Sequence, residues 1–342
     1  MKKILLTGGG SAGHVTPNIS IIEHLLSKGN QCFYIGSYHG IERQMIQDYF
    51  QGKVKYIPVC SGKFRRYFSL KNLIDPFFII LGFFQSIFQI AKIQPGIVFS
   101  KGGFVAPPVV FASKLLRKTI YIHESDSSPG LATKLTAPIA DKIFVPDKLT
   151  QEKLSQKYSS VHQVDLPIRE FLYHGNPSKI KFKDDSKPTL LIMGGSLGAK
   201  TFNDFLLQNY DKLTKSWNII HFTGHTDYSK MPPNGPSYIK HTFVQKELAD
   251  IYAKTNLILA RSGATTIQEI KLLKIPAVLV PLPKSQSRGE QIQNAKDYAK
   301  DHPAEIIKDN SLSITAFQTA AKKVKSKNFP EKKATNSILQ YF

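Results

Sequence analysis

The chain has 342 residues, 42% of them hydrophobic and 21% charged, which suits two globular domains and excludes a disordered or fibrous protein. Lys and Arg number 46 against 25 Asp and Glu, a formal net charge of +21, so the surface favours anionic partners: phosphorylated substrates, anionic lipid headgroups or nucleic acid. Cys32, in an apolar run, and Cys60 make neither a disulfide framework nor a metal-ligand set, which matches a reducing compartment.

In chain order, MKKILLTGGG carries an apolar run too short for a signal peptide and reads as a first strand. Strand-like runs follow at Gln31–Gly36, Val54–Val59, Ile97–Ser100, Thr119–His123 and Lys142–Val145. Helix-compatible segments such as Pro17–Ser27 and Leu73–Ala91 separate them. This alternation predicts a parallel sheet with helices on both faces. The longest apolar run, Leu73–Phe84, is broken by Asp75, Pro76 and Gly82 and falls short of a spanning helix. A polar, Pro- and Gly-bracketed connection covers Gly175–Pro188. The pattern then restarts with a strand at Thr189–Met193, a glycine turn and a helix from about Lys200. Further strands are expected at Trp217–Thr223, Ser237–Thr242, Leu257–Ala260, Ala277–Pro281 and Glu305–Ile307. The fold class is therefore α/β, with a first domain over 1–163 and a second over 164–325. A terminal helix over about 326–342 is expected to pack back on the first domain. Its basic run, Lys322 to Lys333, reads mostly as a solvated face.

Glycine turns lie where strands pass into helices. Gly8-Gly9-Gly10-Ser11-Ala12-Gly13-His14 follows the first strand, with Thr16 and Pro17 as the expected cap and first helical residue. Such a turn lets a backbone approach closely, and the N–H groups at a helix start favour an anion. The turn also fits the dinucleotide spacing, but no carboxylate ends the second strand at Phe33–Ser37, which argues against nicotinamide or flavin. Gly194-Gly195-Ser196-Leu197-Gly198-Ala199 repeats the arrangement in the second half. Arg261-Ser262-Gly263 is a third turn, after which Thr266-x-x-Glu269 has capping-box spacing. Glu269 reads equally as a cap or as an acceptor for sugar or ribose hydroxyls.

Six motifs, in order, resemble one family: GGGSAGHVTP at Gly8–Pro17, KGGFVAPP at Lys101–Pro108, HESDSSPGLATK at His123–Lys134, GGSLGAKTFN at Gly194–Asn203, RSGATTIQE at Arg261–Glu269 and SRGEQIQNA at Ser287–Ala295. It is the bacterial UDP-N-acetylglucosamine:muramyl-pentapeptide-pyrophosphoryl-undecaprenol N-acetylglucosaminyltransferase family. The resemblance implies two Rossmann-like domains facing across a cleft, the GT-B arrangement. It implies an inverting transfer of GlcNAc from UDP-GlcNAc to the C4 hydroxyl of MurNAc in an undecaprenyl-linked muramyl-peptide, with no cofactor. It places Ser196 at the donor diphosphate, Val244 beside uracil, and Ala264, Thr265, Thr266 and Glu269 on the ribose and phosphate side. Gln291 would hold GlcNAc hydroxyls, Arg169 would be the donor-side arginine, and Ser11, Ala12 and Gly13 would approach the donor from the first domain. Gly9, Gly10, Gly102, Gly103 and Asp126 would form the acceptor diphosphate loops. Asp126 replaces the family's usual Asn, and Phe104 its usual Tyr. Asp165, in the stretch before Pro167-Ile168-Arg169, departs from the family's glycine.

Two residues are candidates for acid–base chemistry. His14 carries an imidazole that titrates near neutral pH, and it can equally serve as a hydrogen-bonding group. Glu124 is the rival base, or a structural carboxylate holding the glycine loops. No Asp-x-Asp pair suggests a metal site. The segment Lys63–Phe84 mixes Lys63, Arg65, Arg66 and Lys71 with Phe64, Tyr67 and Phe68. This suits a peripheral anchor on anionic lipid, with one face of the following helix inside the domain, and the resemblance implies the cytoplasmic face of the cell membrane. Phe64, Arg65, Arg66 and Phe68 are the expected contacts. Competing readings are a nucleotide-sugar epimerase, a diacylglycerol glycosyltransferase, or a basic module that binds nucleic acid or lipid without catalysis. The HES and RGEQ motifs argue against the first two. The missing helix-turn-helix, zinc and RNA-binding signatures argue against nucleic acid.

Overall fold

Continuous apolar runs in the strands bury side chains on both faces of a sheet, as all-parallel sheets require. In a computed structural model, which describes residues 1–62, 71–126, 129–195, 197–242, 244, 247–287, 289–330 and 337–342, the chain forms two such sheets. The first unit comprises Met1–Arg169 with Ala334–Phe342, and the second Glu170–Lys333. Both halves are thus α/β, as expected. Residues 164–169 go with the first unit, because Val164, Leu166 and Ile168 are buried and the first two belong to its core.

The first unit runs β1 Lys3–Thr7, α1 Ala12–Ser27, β2 Gln31–Ser37, α2 Ile41–Phe50, β3 Lys55–Val59, α3 Lys71–Ile93, β4 Ile97–Ser100, α4 Ala106–Leu115, β5 Thr119–His123, α5 Leu131–Thr136, β6 Lys142–Val145, α6 Lys148–Ser155 and β7 Val161–Gln163. Its seven strands are all parallel, in the order β3-β2-β1-β4-β5-β6-β7. Ile4 and Leu6 face a core shared with α1 and α2, and Leu5 faces the one under α3 and α4. Helix α1 starts at Ala12, not at the expected Pro17, which lies in its second turn. A proline there forgoes one backbone bond, which a long packed helix tolerates.

The second unit runs β8 Thr189–Met193, α7 Lys200–Ser216, β9 Asn218–Phe222, β10 Tyr238–His241, α8 Leu248–Lys254, β11 Leu257–Ala260, α9 Ala264–Leu272, β12 Ala277–Leu279, α10 Glu290–Asp301, β13 Ala304–Ile306 and α11 Ile314–Lys325. Its strand order is β10-β9-β8-β11-β12-β13, again all parallel. The expected connection over 175–188 packs on this unit. Asn176 N–H donates to Asp250 Oδ1 at 2.7 Å, and Lys179 pairs with the same carboxylate at 3.1 Å.

In each sheet the strand order reverses beside the first strand, between β1 and β4 and between β8 and β11. The crevice at the carboxyl ends of such strands is where open α/β sheets bind ligands. The glycine turns after β1 and β4, and those after β8 and β11, lie at these two points.

Two further expectations are corrected. Helix α3 passes through Asp75, Pro76 and Gly82 and continues to Ile93, so Ile74–Ile93 has a mean hydropathy of 1.6 and is long and apolar enough to cross a membrane. Ile90 and Ile93 lie in the core, while Ile74, Phe77, Ile80, Leu81, Phe84 and Phe88 are exposed. Past α11 there is no terminal helix among the described residues. A short 3-10 turn, Ile338–Tyr341, returns to the first unit. Phe342 packs edge-on against Phe99 and Tyr121, and Tyr341 against Phe144. Ile338 is fully buried there. Ile338→Ala is expected to destabilise the first unit by about 2–5 kcal/mol in urea unfolding.

Candidate functional site

The first site is built from two glycine turns that touch. Gly9 N–H donates to Gly102 O at 3.3 Å, and Lys101 N–H to Thr7 O at 2.9 Å. Gly103 has φ +85°, and a Cβ on it would fall 2.1 Å from Gly9 O, so only glycine admits this approach. Beneath the first turn lies Glu42, a fully buried carboxylate in the first turn of α2. It accepts from Gly10 N at 3.1 Å, Ser37 N at 3.0 Å and Ser37 Oγ at 2.5 Å. So a carboxylate does follow β2, turned inward to hold the turn. Tyr34 adds a second support, donating to Gly8 O at 2.7 Å while Asn18 Nδ2 donates to its hydroxyl at 3.1 Å. Sequence reasoning missed all three residues. A buried carboxylate and a buried phenol carry no spacing signature.

Ser11 and Gly13 are exposed and His14 half-buried at the start of α1. His14 Nδ1 lies 2.8 Å from Ser11 Oγ, which fixes the imidazole beside Gly102. Glu124 is 7% exposed. Its carboxylate accepts from Asp126 N at 2.9 Å, Gly130 N at 2.9 Å and Thr133 Oγ1 at 2.6 Å. Three donors organise the loop from β5 to α5 around one carboxylate, which favours the structural role over the proton carrier. Asp126 is half-buried in that loop. Arg169 closes the first unit, and its charge favours the ionised form of Tyr49 in α2, against the burial and the Glu23 contact that push that phenol up.

The second site lies on the β8 and β11 turns. Gly198, with φ +78°, meets the Thr223–Gly224 backbone so closely that a Cβ would fall 2.2 Å from Thr223 O. Asn203 Nδ2 ties α7 to the same carbonyl at 3.1 Å. An open pocket of about 510 Å³ lies against this turn, lined by Leu197, Lys200, Thr201, Arg261 and Gln286 among others. Arg261, 7% exposed, is held by Val280 O at 2.8 Å and Asp309 Oδ1 at 2.5 Å. Its guanidinium stands 4.8 Å from the Phe202 ring centroid. Ala264, Thr265 and Thr266 form the first turn of α9, behind Gly263 as N-cap. Thr266 is therefore inside the helix, and the capping-box expectation for Glu269 fails. Glu269 is buried and accepts from Tyr252 OH at 2.7 Å. Gln291 Oε1 accepts from Leu282 N at 3.2 Å, and Ser262 Oγ donates to Gln291 O at 2.8 Å. Val244 is buried beyond β10. Ser196 lies outside the described residues, as do Phe64, Arg65, Arg66 and Phe68; Ala12 is placed by its backbone alone.

One electrostatic feature recurs. Helices α1, α4, α7 and α9, which open from the glycine turns, have no side-chain cap among the described residues and no acidic residue in the first turn. Helix α5 shares this, whereas α6 and α11 are capped by Asp147 and Ser313. Starts of this kind leave N–H groups and a positive dipole end for an anion.

The glycosyltransferase family 28 N-terminal domain matches residues 4–145, and the glycosyltransferase family 28 C-terminal domain matches residues 189–341. A Clostridium tetani protein named UDP-N-acetylglucosamine--N-acetylmuramyl-(pentapeptide) pyrophosphoryl-undecaprenol N-acetylglucosamine transferase is 42% identical over 320 residues, covering 92% of this chain and 88% of its own. The chain belongs to glycosyltransferase family 28. Among solved structures, Acinetobacter baumannii MurG aligns with a TM-score of 0.71 at 23% identity, over 100% of this chain and 98% of that one. The UDP-GlcNAc 2-epimerase of Methanocaldococcus jannaschii aligns with a TM-score of 0.64 at 12% identity, over 98% and 95%. At these identities the two structures share the fold with this family 28 chain and nothing finer.

Glu124→Gln tests the anchoring role. The amide must turn one N–H group toward a donor, so stability in urea is expected to fall by about 1–3 kcal/mol. A carboxylate that only carried protons would leave stability unchanged.

Proposed function

We infer that the chain transfers N-acetylglucosamine from UDP-GlcNAc to an undecaprenyl-pyrophosphoryl N-acetylmuramyl-peptide, a step of cell-wall peptidoglycan synthesis. The observation that carries this is the 42% identity over 92% of the chain to a transferase named for that reaction. The uncapped, acid-free starts of α1, α7 and α9 supply the physical fit, since both substrates are diphosphates. The epimerase alternative shares only the fold.

The mechanism assigned here is a single in-line displacement at the anomeric carbon. The MurNAc C4 hydroxyl attacks, its proton passes to a base, and UDP departs with the glycosidic electron pair. The developing diphosphate charge is met by the start of α7, with Ser196 beside it, and by the first turn of α9, Ala264–Thr266. Glu269, Gln291 and Val244 complete the donor side of the second unit. His14 takes the acceptor proton. Ser11 orients its ring, and an imidazole exchanges protons near neutral pH. Gly9, Gly10, Gly102, Gly103 and Asp126 serve the acceptor diphosphate. In a radiolabel assay the lipid-linked muramyl-pentapeptide should accept sugar from UDP-GlcNAc and not from UDP-glucose or UDP-GalNAc. His14→Ala should lower turnover about 10²- to 10⁴-fold while UDP-GlcNAc binding by calorimetry is retained. Transfer from all three donors, or full turnover in the variant, would overturn the corresponding assignment.

The exposed side of α3 supports peripheral attachment to the cytoplasmic face of the membrane. Ile74, Phe77, Ile80, Leu81, Phe84 and Phe88 lie bare on a helix whose other side is core, so the helix meets lipid without leaving the domain. Burying each phenylalanine is worth about 1.5–3 kcal/mol, and the +21 charge adds attraction to anionic headgroups. The chain should float with vesicles containing phosphatidylglycerol. Phe77→Ser/Phe84→Ser/Phe88→Ser should abolish flotation, and equal flotation of both proteins would refute the attachment.

A further inference from the structure

At the root of the second glycine turn lies a buried polar cluster whose Lys101, Ser125 and His123 the transfer chemistry above leaves unused. Lys101 is 3% exposed, and its Nζ donates to Ser125 Oγ at 2.6 Å. His123 is 2% exposed, and its Nδ1 lies 3.5 Å from the same hydroxyl. Lys101 faces the carboxylates of Glu124 and Asp126. Burial pulls its ammonium below the ordinary lysine value, and the two carboxylates pull it back. Burial, with the Lys101 charge beside it, holds His123 well below the ordinary imidazole range. The cluster therefore gathers an amine, two carboxyl groups and an imidazole whose charged form burial disfavours.

A desolvated ammonium is costly, and an apolar side chain would close the end of β4 without that cost. What the lysine adds is a connection. Its N–H donates to Thr7 O on β1, its side chain reaches Ser125 beyond β5, and the next residue accepts from Gly9. The two glycine turns and the β5 loop are thereby joined through one residue. Ser125 is half-buried. A hydroxyl that accepts from an ammonium sends its own proton elsewhere, and the contact to His123 is at the limit of a hydrogen bond. The contact to His123 is long, so an oxygen nearer than 3.5 Å takes that proton in its place, and the ammonium behind polarises the O–H.

We propose that Ser125 donates a hydrogen bond to an oxygen of the lipid-linked acceptor, and that Lys101 is the positioning residue that orients it. This rests on the acceptor reading of the glycine loops given above. The test is steady-state kinetics of the full chain with UDP-GlcNAc and undecaprenyl-pyrophosphoryl-MurNAc-pentapeptide. Ser125→Ala and Lys101→Met should each raise the acceptor KM about tenfold, the scale of one charge-assisted hydrogen bond. The UDP-GlcNAc KM should stay within about twofold, and the double variant should be no worse than Lys101→Met alone. As pH rises, the wild-type acceptor KM should climb when the ammonium is lost. Lys101→Arg should delay that climb, since a guanidinium stays charged. An unchanged acceptor KM in Ser125→Ala, a parallel rise in both KM values, or additive effects would overturn the proposal. Should Lys101→Met fail to fold, Ser125→Ala decides alone. A wild-type chain that never glycosylates this acceptor would instead overturn the functional reading beneath it.

Discussion

The closeness of two backbones at the strand-order reversal governs the N-terminal site. Gly9 and Gly103 meet where no side chain fits, and their contact brings the ends of β1 and β4 together. Everything polar nearby is arranged around that contact. Glu42 and Tyr34 hold the first turn from below, Lys101 ties the second to the β5 loop, and Glu124 gathers that loop around itself. The second unit solves the same problem with Gly198 against Thr223 and Gly224. In both, side chains serve mainly to keep the turns in shape.

The two α/β halves were legible because apolar runs and glycine turns alternate with a period that only a parallel sheet explains. Strands such as Ile97–Ser100, Thr119–His123 and Thr189–Met193 end where the residue pattern ends them. Helix ends were harder. Thr16-Pro17 looks like a start by local chemistry, yet α1 begins at Ala12 because the preceding glycines release the chain straight into the helix. Thr266-x-x-Glu269 has capping spacing, but Gly263 already occupies the cap, and Glu269 turns to Tyr252. The breaks at Asp75, Pro76 and Gly82 hid a 23-residue helix, since packing against α4 and the core outweighs weak local propensity.

The site was legible as motifs and not as a network. Spacing pointed to His14, Glu124 and the glycines. It could not reveal that three donors converge on Glu124, that Arg261 is braced by Asp309 from 48 residues away, or that Glu42 closes under Gly10. Those partners come together through tertiary structure, and single-residue chemistry carries no trace of them. Asp126 and Lys101 also show that charges from the loops after β4 and β5 gather at one point, which makes the balance of buried charge there a matter of position more than of sum.

The closing turn, Ile338–Tyr341, fills the core beside α1 and β1. A ribosome would therefore release the whole second unit before the first could be sealed. The nascent N-terminal half must persist with an open apolar seam while 164 residues, Glu170–Lys333, emerge. Birth order and folding order are thus inverted: the half made first is finished last, and its lifetime as an incomplete body is set by the rate of translation.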